Sequence, residues 1–307
     1  MEVKQLEAVV AIADEGSVTG AARRLRLVQP AVSRQIQTLE KELGVALFER
    51  TRSGMLVTPA GSLLVERARR VIRELDRARV ELQPTPHDVG GTVSVGLLES
   101  MTDLLAGPLV TRVREAHPRV HLRVLTAYSG HLRDWLNAGD LDLAVLYDLP
   151  PSPSFSVEPA GEEQLWAFAP PEAALRVGTP IPLTELTHVP LILPESGHGL
   201  RVLIDRAFAR LGLQPHASVE TNSMRIQKSL VQQGHGWTIL PAVGAAAEVA
   251  SRTLSGAPLC APDIRRTVSL VTHKQERQQP SIQAVAAQLT RCIDQARSTG
   301  SWPGMRQ

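Results

Sequence analysis

The chain has 307 residues, 43% of them hydrophobic and 21% charged, which is long enough for two or more domains of ordinary globular composition. Its net charge of +2 gives no nucleic-acid signal by itself, and an aromatic content of 3% offers no stacking platform for single-stranded nucleic acid. The sequence shows no secretory leader and no apolar run long enough for a bilayer, so we expect a cytoplasmic protein with no membrane partner.

Three short helices are predicted before position 44. Ser17 is placed to cap the second helix, Leu27 and Val28 make a turn, and Gln29 and Pro30 open the third helix, because proline is tolerated in a first turn. The inward-facing positions at helical spacing are Leu6, Val9, Val10 and Ala13, then Ala21, Ala22 and Leu25, then Val32, Ile36, Leu39 and Leu43. Two helices joined by a tight turn are typical of a helix-turn-helix motif.

The outer face of the third helix carries groups that suit DNA. Pro30, Ser33, Arg34, Gln37 and Lys41 lie on that face. Hydroxyl, guanidinium, amide and ammonium groups reach phosphates and base edges. The pattern of residues 47–59 then predicts a β-hairpin with a glycine turn and with Arg50 and Arg52 near its tip. Such a hairpin is a wing, which would lie along the DNA backbone or the minor groove. On periodicity alone, an ordinary helical hairpin with a solvated face is an equal alternative.

One long helix is predicted over residues 58–82. Its apolar positions alternate by four and three residues, at Leu64, Ala68, Val71, Leu75, Ala78 and Leu82. Because a small head has little core to bury a second full stripe, we expect this seam to pair with a second copy of the chain. Packing of the seam against its own domain is the alternative. Prolines and glycines in residues 83–91 then mark a domain boundary.

From Thr92 onward, predicted strands alternate with predicted helices. The strands are 92–97, 120–125, 143–146, 165–169, 191–193, 217–220, 237–240 and 268–271, and the helices are 102–115, 129–137, 200–211, 224–233 and 282–297. This alternation predicts α/β layers with largely parallel sheets.

Four strand-to-helix junctions carry serine or threonine just before a helix. These junctions are Ser100-Met101-Thr102, Ser129-Gly130, Ser196-Gly197-His198 and Thr221-Asn222-Ser223. Helix N-termini present free N–H groups to an anion, and junctions at strand carboxyl ends line the ligand crevice of open α/β sheets. We therefore expect an effector site there, with His198 and Arg201 as cationic contacts and Glu99 as an acceptor of hydrogen bonds from an amine or hydroxyl. Each hydroxyl taken alone is equally well explained as an N-cap.

The sequence carries no recognisable catalytic or metal-binding motif. There is no nucleophile elbow and no phosphate-binding glycine loop with lysine. Pro118 prevents a continuous helix from bringing His117 and His121 together as zinc ligands. Cys260 and Cys292 lack metal-type spacing, so we expect reduced thiols, with a redox switch as the alternative. We expect no enzyme activity, no cofactor and no metal.

Residues 1–61 resemble the DNA-binding domain of LysR-type transcriptional regulators. The matching positions are the Ser17–Leu25 helix, Gln29-Pro30-Ala31-Val32-Ser33-Arg34-Gln35-Ile36, Leu39-Glu40, Leu43-Gly44, Leu47-Phe48-Glu49-Arg50 and Thr58-Pro59-Ala60-Gly61. The resemblance implies DNA contacts by Gln29, Pro30, Ser33, Arg34 and the wing arginines Arg50 and Arg52, and the outer helix face adds Gln37. Val28, Ser53 and Leu56 depart from the family pattern, so Arg50 and Arg52 would carry more of the wing's phosphate contact.

Residues 91–298 resemble the effector domain of the same family along their whole length. The implied fold is multidomain, with an all-α winged helix-turn-helix head and long linker helix followed by an α/β two-lobed domain of the periplasmic-binding-protein type 2. The implied divisions are a head at 1–58, a linker and dimerisation helix with hinge at 59–90, lobe one at 91–161 and 267–298, lobe two at 162–266, and a C-terminal tail at 299–307. The chain would cross between lobes near 160–164 and 265–268.

The sequence therefore predicts a ligand-responsive, sequence-specific regulator that binds double-stranded DNA as a homodimer to homotetramer. A small-molecule effector in the interlobe cleft, with an organic acid as the class that the resemblance implies, would shift the oligomer's arrangement on DNA. RNA polymerase is a further candidate partner. Two alternatives stay open: a solute-binding or enzymatic α/β protein with an oligomerisation head, and a DNA-compacting protein that needs no effector.

Overall fold

The computed structural model describes residues 1–51, 54–81, 89–149, 152–274 and 279–306, which fall into two compact units. The N-terminal unit contains α1 Val3–Glu15, α2 Val18–Leu25, α3 Gln29–Leu43, β1 Phe48–Thr51, β2 Gly54–Val57 and α4 Pro59–Glu81. These bounds confirm the three predicted helices, the wing hairpin and the long helix that follows it.

The head is closed by a small apolar core between its helices. Its buried members include Ala8, Val9, Ala11, Ile12, Ala21, Ala22, Val32, Ile36 and Leu39. The predicted inner face of α1 is partly wrong, since Val10 and Ala13 are only half-buried while Ala8 and Ile12 are fully buried. The cause is that α1 packs against α2, α3 and α4 and so buries a wider arc. Leu43 is also 40% exposed, because α3 ends there.

Side-chain and backbone hydrogen bonds hold the wing to the head. The Glu40 carboxylate of α3 accepts the backbone N–H of Leu47 at 2.7 Å, just before β1. On the other strand, Met55 donates its N–H to the Gly16 carbonyl at 2.8 Å. Gly54 has a φ of +132°, and a Cβ there would lie 2.5 Å from that same carbonyl oxygen. Glycine is therefore required where the wing meets the turn between α1 and α2.

All later elements belong to the C-terminal unit. Its strands are β3 Gly90–Leu98, β4 Arg119–Ala127, β5 Leu143–Tyr147, β6 Phe155–Ala169, β7 Ile181–Pro182, β8 Leu191–Pro194, β9 Ala217–Thr221, β10 Thr238–Pro241, β11 Ser255–Cys260, β12 Arg265–His273 and β13 Met305–Arg306. Its helices are α5 Thr102–Ala116, α6 Ser129–Asn137, α7 Gly199–Arg210, α8 Met224–Gln232, α9 Ala246–Ala250 and α10 Pro280–Ser298. Short 3-10 turns lie at Glu99–Met101, Pro171–Ala173, Leu183–His188 and Ala242–Ala245.

The main sheet has the strand order β4-β3-β5-β12-β6-β11-β7, and β10 and β13 also pair with β6. Strand β3 is parallel to β4 and β5, but β12 is antiparallel to both β5 and β6. The expectation of largely parallel sheets is therefore wrong for this sheet. The chain leaves lobe one through β6 and returns through β12, so these two crossing strands run in opposite directions.

Two apolar cores define the lobes on either side of the crossing. β6 pairs with β12 over residues 155–164 and with β10 and β11 over residues 165–169, so this strand serves both cores. Trp302 is buried in the core of lobe one, and β13 pairs with β6 at Glu162 and Glu163. The residues expected to form a tail thus contribute to the lobe. No helix among the described residues has the length and apolar character needed to span a membrane.

Candidate functional site

The outer face of α3 is open to solvent where the sequence predicts DNA contact. Gln29, Pro30, Arg34, Gln37 and Lys41 are exposed, and Ser33 is half-buried. Arg50 is exposed on β1, whereas Arg52 lies outside the described residues. The start of α3 has no side-chain cap, but it offers few free N–H groups, because Pro30 has none and that of Ala31 donates to the Val28 carbonyl. This face therefore combines hydrogen-bond donors with the positive end of a helix.

The apolar seam of α4 is divided between two environments. Leu64 packs partly against the head core and Ala68 is buried there, so the first part of the seam packs on its own domain. Further along, Val71 is 43% exposed and Ala78 is also exposed, while Leu75 is half-buried. Leu82 lies outside the described residues. The part of the seam that can meet a partner is therefore shorter than the sequence indicates.

A cavity of about 880 Å³ lies between the lobes, where strand ends and helix starts converge. Its lining includes seven of the eleven residues predicted for the effector site: Glu99, Ser100, Ser129, Gly130, Ser196, His198 and Asn222. The first four belong to lobe one and the last three to lobe two. Three of the four junctions contribute a hydroxyl-bearing residue to the lining, and the fourth contributes Asn222.

The other four residues expected at the effector site are absent from the lining. Met101 is fully buried in the core of lobe one. Thr102 donates its hydroxyl to the Leu98 carbonyl at 3.0 Å. Thr221 is buried, and its hydroxyl accepts the N–H of Ser223 at 3.3 Å. The hydroxyls of Thr102 and Thr221 are thus engaged by nearby backbone groups, as threonine hydroxyls often are.

Arg201 is held away from the cavity by carboxylates. Its guanidinium pairs with Asp205 at 2.9 Å and with Glu220 at 2.6 Å, and it also donates to the Pro194 carbonyl. The sequence could not show this, since Glu220 lies nineteen residues further along the chain. The cationic contact expected from Arg201 is therefore engaged elsewhere.

Tyr128 bridges the two lobes across the cavity. Its hydroxyl donates to the backbone carbonyl of Asn222, and its ring meets the His198 ring edge-on with centroids 4.2 Å apart. Burial, reinforced by the charge of Glu99, raises the pKa of Tyr128 to about 12. The phenol is therefore protonated and can donate throughout the neutral range.

His198 begins α7 and is neutral. Its Nδ1 accepts the N–H of Leu200 at 3.2 Å, so the imidazole caps α7 and the Ser196 hydroxyl does not. Burial, together with the charges of Arg266 and His131, lowers the pKa of His198 to about 4. The cationic role suggested for His198 is therefore wrong near neutral pH, and its ring acts as a hydrogen-bond acceptor and packing surface.

A buried polar network joins the crossing strands to the cavity. Glu163 of β6 is fully buried and accepts the indole N–H of Trp302 at 2.9 Å. Arg266 of β12 is only 7% exposed and lies 3.4 Å from the second Glu163 oxygen. The Arg266 guanidinium also lies over the ring of Tyr147, whose hydroxyl is 2.9 Å from Ser100 Oγ. Burial raises the pKa of Tyr147 well above its usual range.

Three further residues that were not predicted from the sequence also line the cavity, namely Tyr128, Tyr147 and Arg266. Tyr128 and Tyr147 each end or follow a predicted strand, at the carboxyl edge where ligand contacts are expected, and that signal could have identified them. Arg266 enters the network only through strand pairing, which opposes it to Glu163.

Metal and thiol chemistry are not indicated by the geometry. Among the described residues, no group of three or more His, Cys, Asp or Glu side chains is arranged to hold a metal ion. Cys260 and Cys292 are both free thiols, and burial raises the pKa of Cys292. A raised pKa lowers the thiolate fraction and hence the reactivity of Cys292.

Two family models match the chain. Residues 3–62 match the bacterial regulatory helix-turn-helix protein of the lysR family, and residues 86–292 match the LysR substrate binding domain. The chain is 30% identical over 293 residues to the HTH-type transcriptional regulator BbuR of Bordetella bronchiseptica, an alignment that covers 95% of this chain and 90% of BbuR. It is also 30% identical over 292 residues to the nitrogen assimilation regulatory protein nac of Klebsiella aerogenes, covering 93% of each.

Solved structures share the fold over the whole chain. A full-length OxyR variant from Pseudomonas aeruginosa has a TM-score of 0.74 at 23% identity, covering 100% of this chain and 98% of its own. Full-length CbnR, solved with its target DNA, has a TM-score of 0.70 at 24% identity, covering 95% of this chain and 100% of CbnR. The two-lobed α/β domain and the winged head are thus the family architecture, and the chain belongs to the LysR-type transcriptional regulators.

Proposed function

We propose that this regulator binds one preferred DNA operator and responds to a small molecule held between its lobes. The observation that carries the proposal is the interlobe cavity, in which Tyr128 of lobe one already contacts His198 and Asn222 of lobe two. A ligand seated there would touch both lobes at once. It would therefore favour one arrangement of the two lobes over others. Such a difference in affinity between arrangements is what a population shift requires.

The DNA-binding surface is proposed to be the exposed face of α3 with the wing. Gln29, Pro30, Ser33, Arg34 and Gln37 would enter the major groove, and Arg50 and Arg52 would contact the backbone or minor groove. The described residues of this set are exposed, apart from Ser33, which is half-buried, and this exposure supports the assignment. The head and linker helix together carry 14 Lys/Arg and 11 Asp/Glu over residues 1–86, a modest net charge of +3. This small excess favours specific placement of donors over bulk electrostatic attraction to DNA.

The regulator is proposed to act as a homodimer or homotetramer in the cytoplasm. The exposed Val71 and Ala78 on α4 support pairing with a second copy. We retain the divisions 1–58, 59–90 and 91–298 as proposed boundaries, with Trp302 and β13 added to lobe one. RNA polymerase is a proposed partner for the DNA-bound state, and an organic acid is the proposed class of effector.

The anion preference is supported by the cavity's lining. Helices α6 and α7 both begin at this cavity, so the positive ends of both helices lie beside the same space. Ser100, Ser129 and Ser196 add hydroxyl donors. Glu99 faces the cavity as well, and it would accept a hydrogen bond from a hydroxyl or amine on the same molecule.

The effector assignment is tested on the full-length protein by thermal shift with acetate, succinate and benzoate as probes of increasing size. We expect at least one probe to raise the Tm of the wild type and to do so less in the double variant Ser100→Ala, Ser129→Ala. Thr102→Val is the matched control, because its hydroxyl is bonded to Leu98 outside the cavity lining. An equal shift in the double variant would remove both serines from the effector site.

Two other classes make different predictions. A DNA-compacting protein would cover a long duplex uniformly, whereas the proposed regulator would protect one region in a footprint. A solute-binding protein or enzyme with an oligomerisation head would bind the small molecule without any operator preference. Selection of a single operator from a random duplex library therefore favours the regulator over both.

A further inference from the structure

Val28 is the N-cap residue of α3 and is 69% exposed, more than the neighbouring apolar Leu27 at 44%. Its carbonyl accepts the N–H of Ala31 at 3.0 Å, but its side chain gives the helix start no hydrogen bond. By contrast, α2 and α8 begin at Ser17 and Ser223, whose hydroxyls accept backbone N–H groups. A valine at this N-cap therefore forgoes a stabilising cap and leaves apolar surface in water.

Local packing does not explain the valine. The apolar contact that commonly fixes a helix start joins the residue before the N-cap to the fourth helical residue, which here are Leu27 and Val32. Val28 lies between these two positions in the sequence and is 69% exposed, whereas Val32 is fully buried. The feature thus reduces stability without a compensating contact inside the head.

The neighbours of Val28 indicate what it would meet. Gln29 and Pro30 follow it directly and are both exposed at the start of α3. The first residues of a recognition helix are the ones that reach base edges. In the major groove, the apolar feature of a base edge is the C5-methyl group of thymine. A branched apolar side chain next to the helix start fits that group.

We propose that Val28 is a specificity-determining residue that contacts the C5-methyl group of one thymine in each half-site. This inference rests on the proposed function, since it requires α3 to lie in the major groove. Contact removes the valine methyl groups and the thymine methyl group from water together. A cytosine at the same position would instead present its amino group to an apolar side chain, leaving a donor without a partner.

The test uses a duplex that the full-length wild-type protein selects from a random library. Each thymine is replaced in turn by deoxyuridine, which lacks only the C5-methyl group, and affinity is measured by fluorescence anisotropy. We expect one thymine of a half-site at which the replacement weakens wild-type binding about fourfold, the effect of one buried methyl group. Val28→Ser should bind the thymine and deoxyuridine duplexes equally, with no fall in Tm, because serine can cap α3.

Two controls separate the possible failures. If the thymine dependence survives in Val28→Ser, or is lost in Leu27→Ala instead, the assignment to Val28 is wrong although the protein still binds its operator. Arg34→Ala should weaken binding to both duplexes alike. If Arg34→Ala binds both as tightly as the wild type does, the proposed DNA-binding face itself is contradicted, and the Val28 contact with it.

Discussion

The guanidinium carbon of Arg266 lies 3.2 Å from the centre of the Tyr147 ring, and the same guanidinium faces the fully buried Glu163. Arg266 lies on β12 and Glu163 on β6, the two strands on which the chain crosses between the lobes. The same cation contacts Tyr147, whose hydroxyl meets Ser100 at the cavity. A change at the crossing strands and a change at the cavity would therefore alter the same contacts.

Arg266→Met should destabilise the effector domain strongly, because it leaves the Glu163 carboxylate buried without its cation. Removal of one partner of a buried pair costs about 3–5 kcal/mol. Urea unfolding of the full-length protein measures the loss. The double variant Arg266→Met, Glu163→Gln should be less destabilised than the sum of its singles, and the exposed Arg225→Met should stay near wild type. Strict additivity would show that the pair is not coupled.

Trp302→Phe should lower stability by about 1–3 kcal/mol, since Glu163 loses an N–H donor in a buried site. The substitution keeps an aromatic ring in the core of lobe one, so packing is largely preserved. Trp135→Phe is the matched control, because Trp135 packs partly buried against the same core. Equal losses in the two variants, again by urea unfolding, would mean that the indole of Trp302 serves only to fill space.

The stability of lobe two should depend on pH through His198. Its pKa is about 4 in the folded protein against 6.5 for the free side chain, so the unfolded chain binds more protons between these values. The contribution of neutral His198 to the free energy of unfolding is present in full above pH 6.5. It falls as the pH drops from 6.5 to 4 and stays low below pH 4. His198→Asn retains a capping oxygen and removes the titration, so its Tm should fall less over that window.

The exposed His235→Asn is the control for His198, because it removes one histidine from the same lobe without touching the cap. Its Tm should follow the wild-type dependence on pH. The His198 account is contradicted if His198→Asn and the wild type lose the same number of degrees between pH 6.5 and pH 4.

The α4 seam makes a prediction about assembly. Val71→Glu places a charge on the exposed apolar part of the seam and should shift the protein toward monomer in analytical ultracentrifugation. Ser62→Glu introduces the same charge at an exposed position outside the seam and should leave the association unchanged. Monomer formation by both variants, or by neither, would argue that Val71 is not at a subunit contact.

Local patterns predicted the head well because its signals are short in sequence. Ser17 accepts the N–H of Gly20 three residues away, and α3 begins at Gln29 and ends before Gly44 as the pattern indicates. The face of α1 was harder to predict, since Ala8 and Ile12 are buried by helices from several parts of the head. Apolar spacing in the sequence identifies one stripe of α1, whereas packing against three other helices buries residues on either side of that stripe.

The effector cavity was predicted only in outline. Its junctions could be found from strand ends, because each is local in sequence, and Ser100 and Ser129 do line the space. The network behind it could not, since Glu163, Arg266 and Trp302 come together only through strand pairing across more than a hundred residues. Strand β11 was missed because Gly256 and Pro258 interrupt its apolar pattern.

The exposed face of α3 is proposed to read DNA, and this proposal predicts a weaker affinity of Arg34→Ala for the selected operator. Arg24→Ala is the matched control, because Arg24 is also exposed but is paired with Asp14 of α1 at 2.7 Å. By fluorescence anisotropy at fixed salt, we expect Arg34→Ala to bind roughly 5- to 150-fold more weakly, as roughly 1–3 kcal/mol of base contact implies. Arg24→Ala should bind nearly as the wild type does. Wild-type affinity in Arg34→Ala, or an equal loss in Arg24→Ala, would contradict the claim.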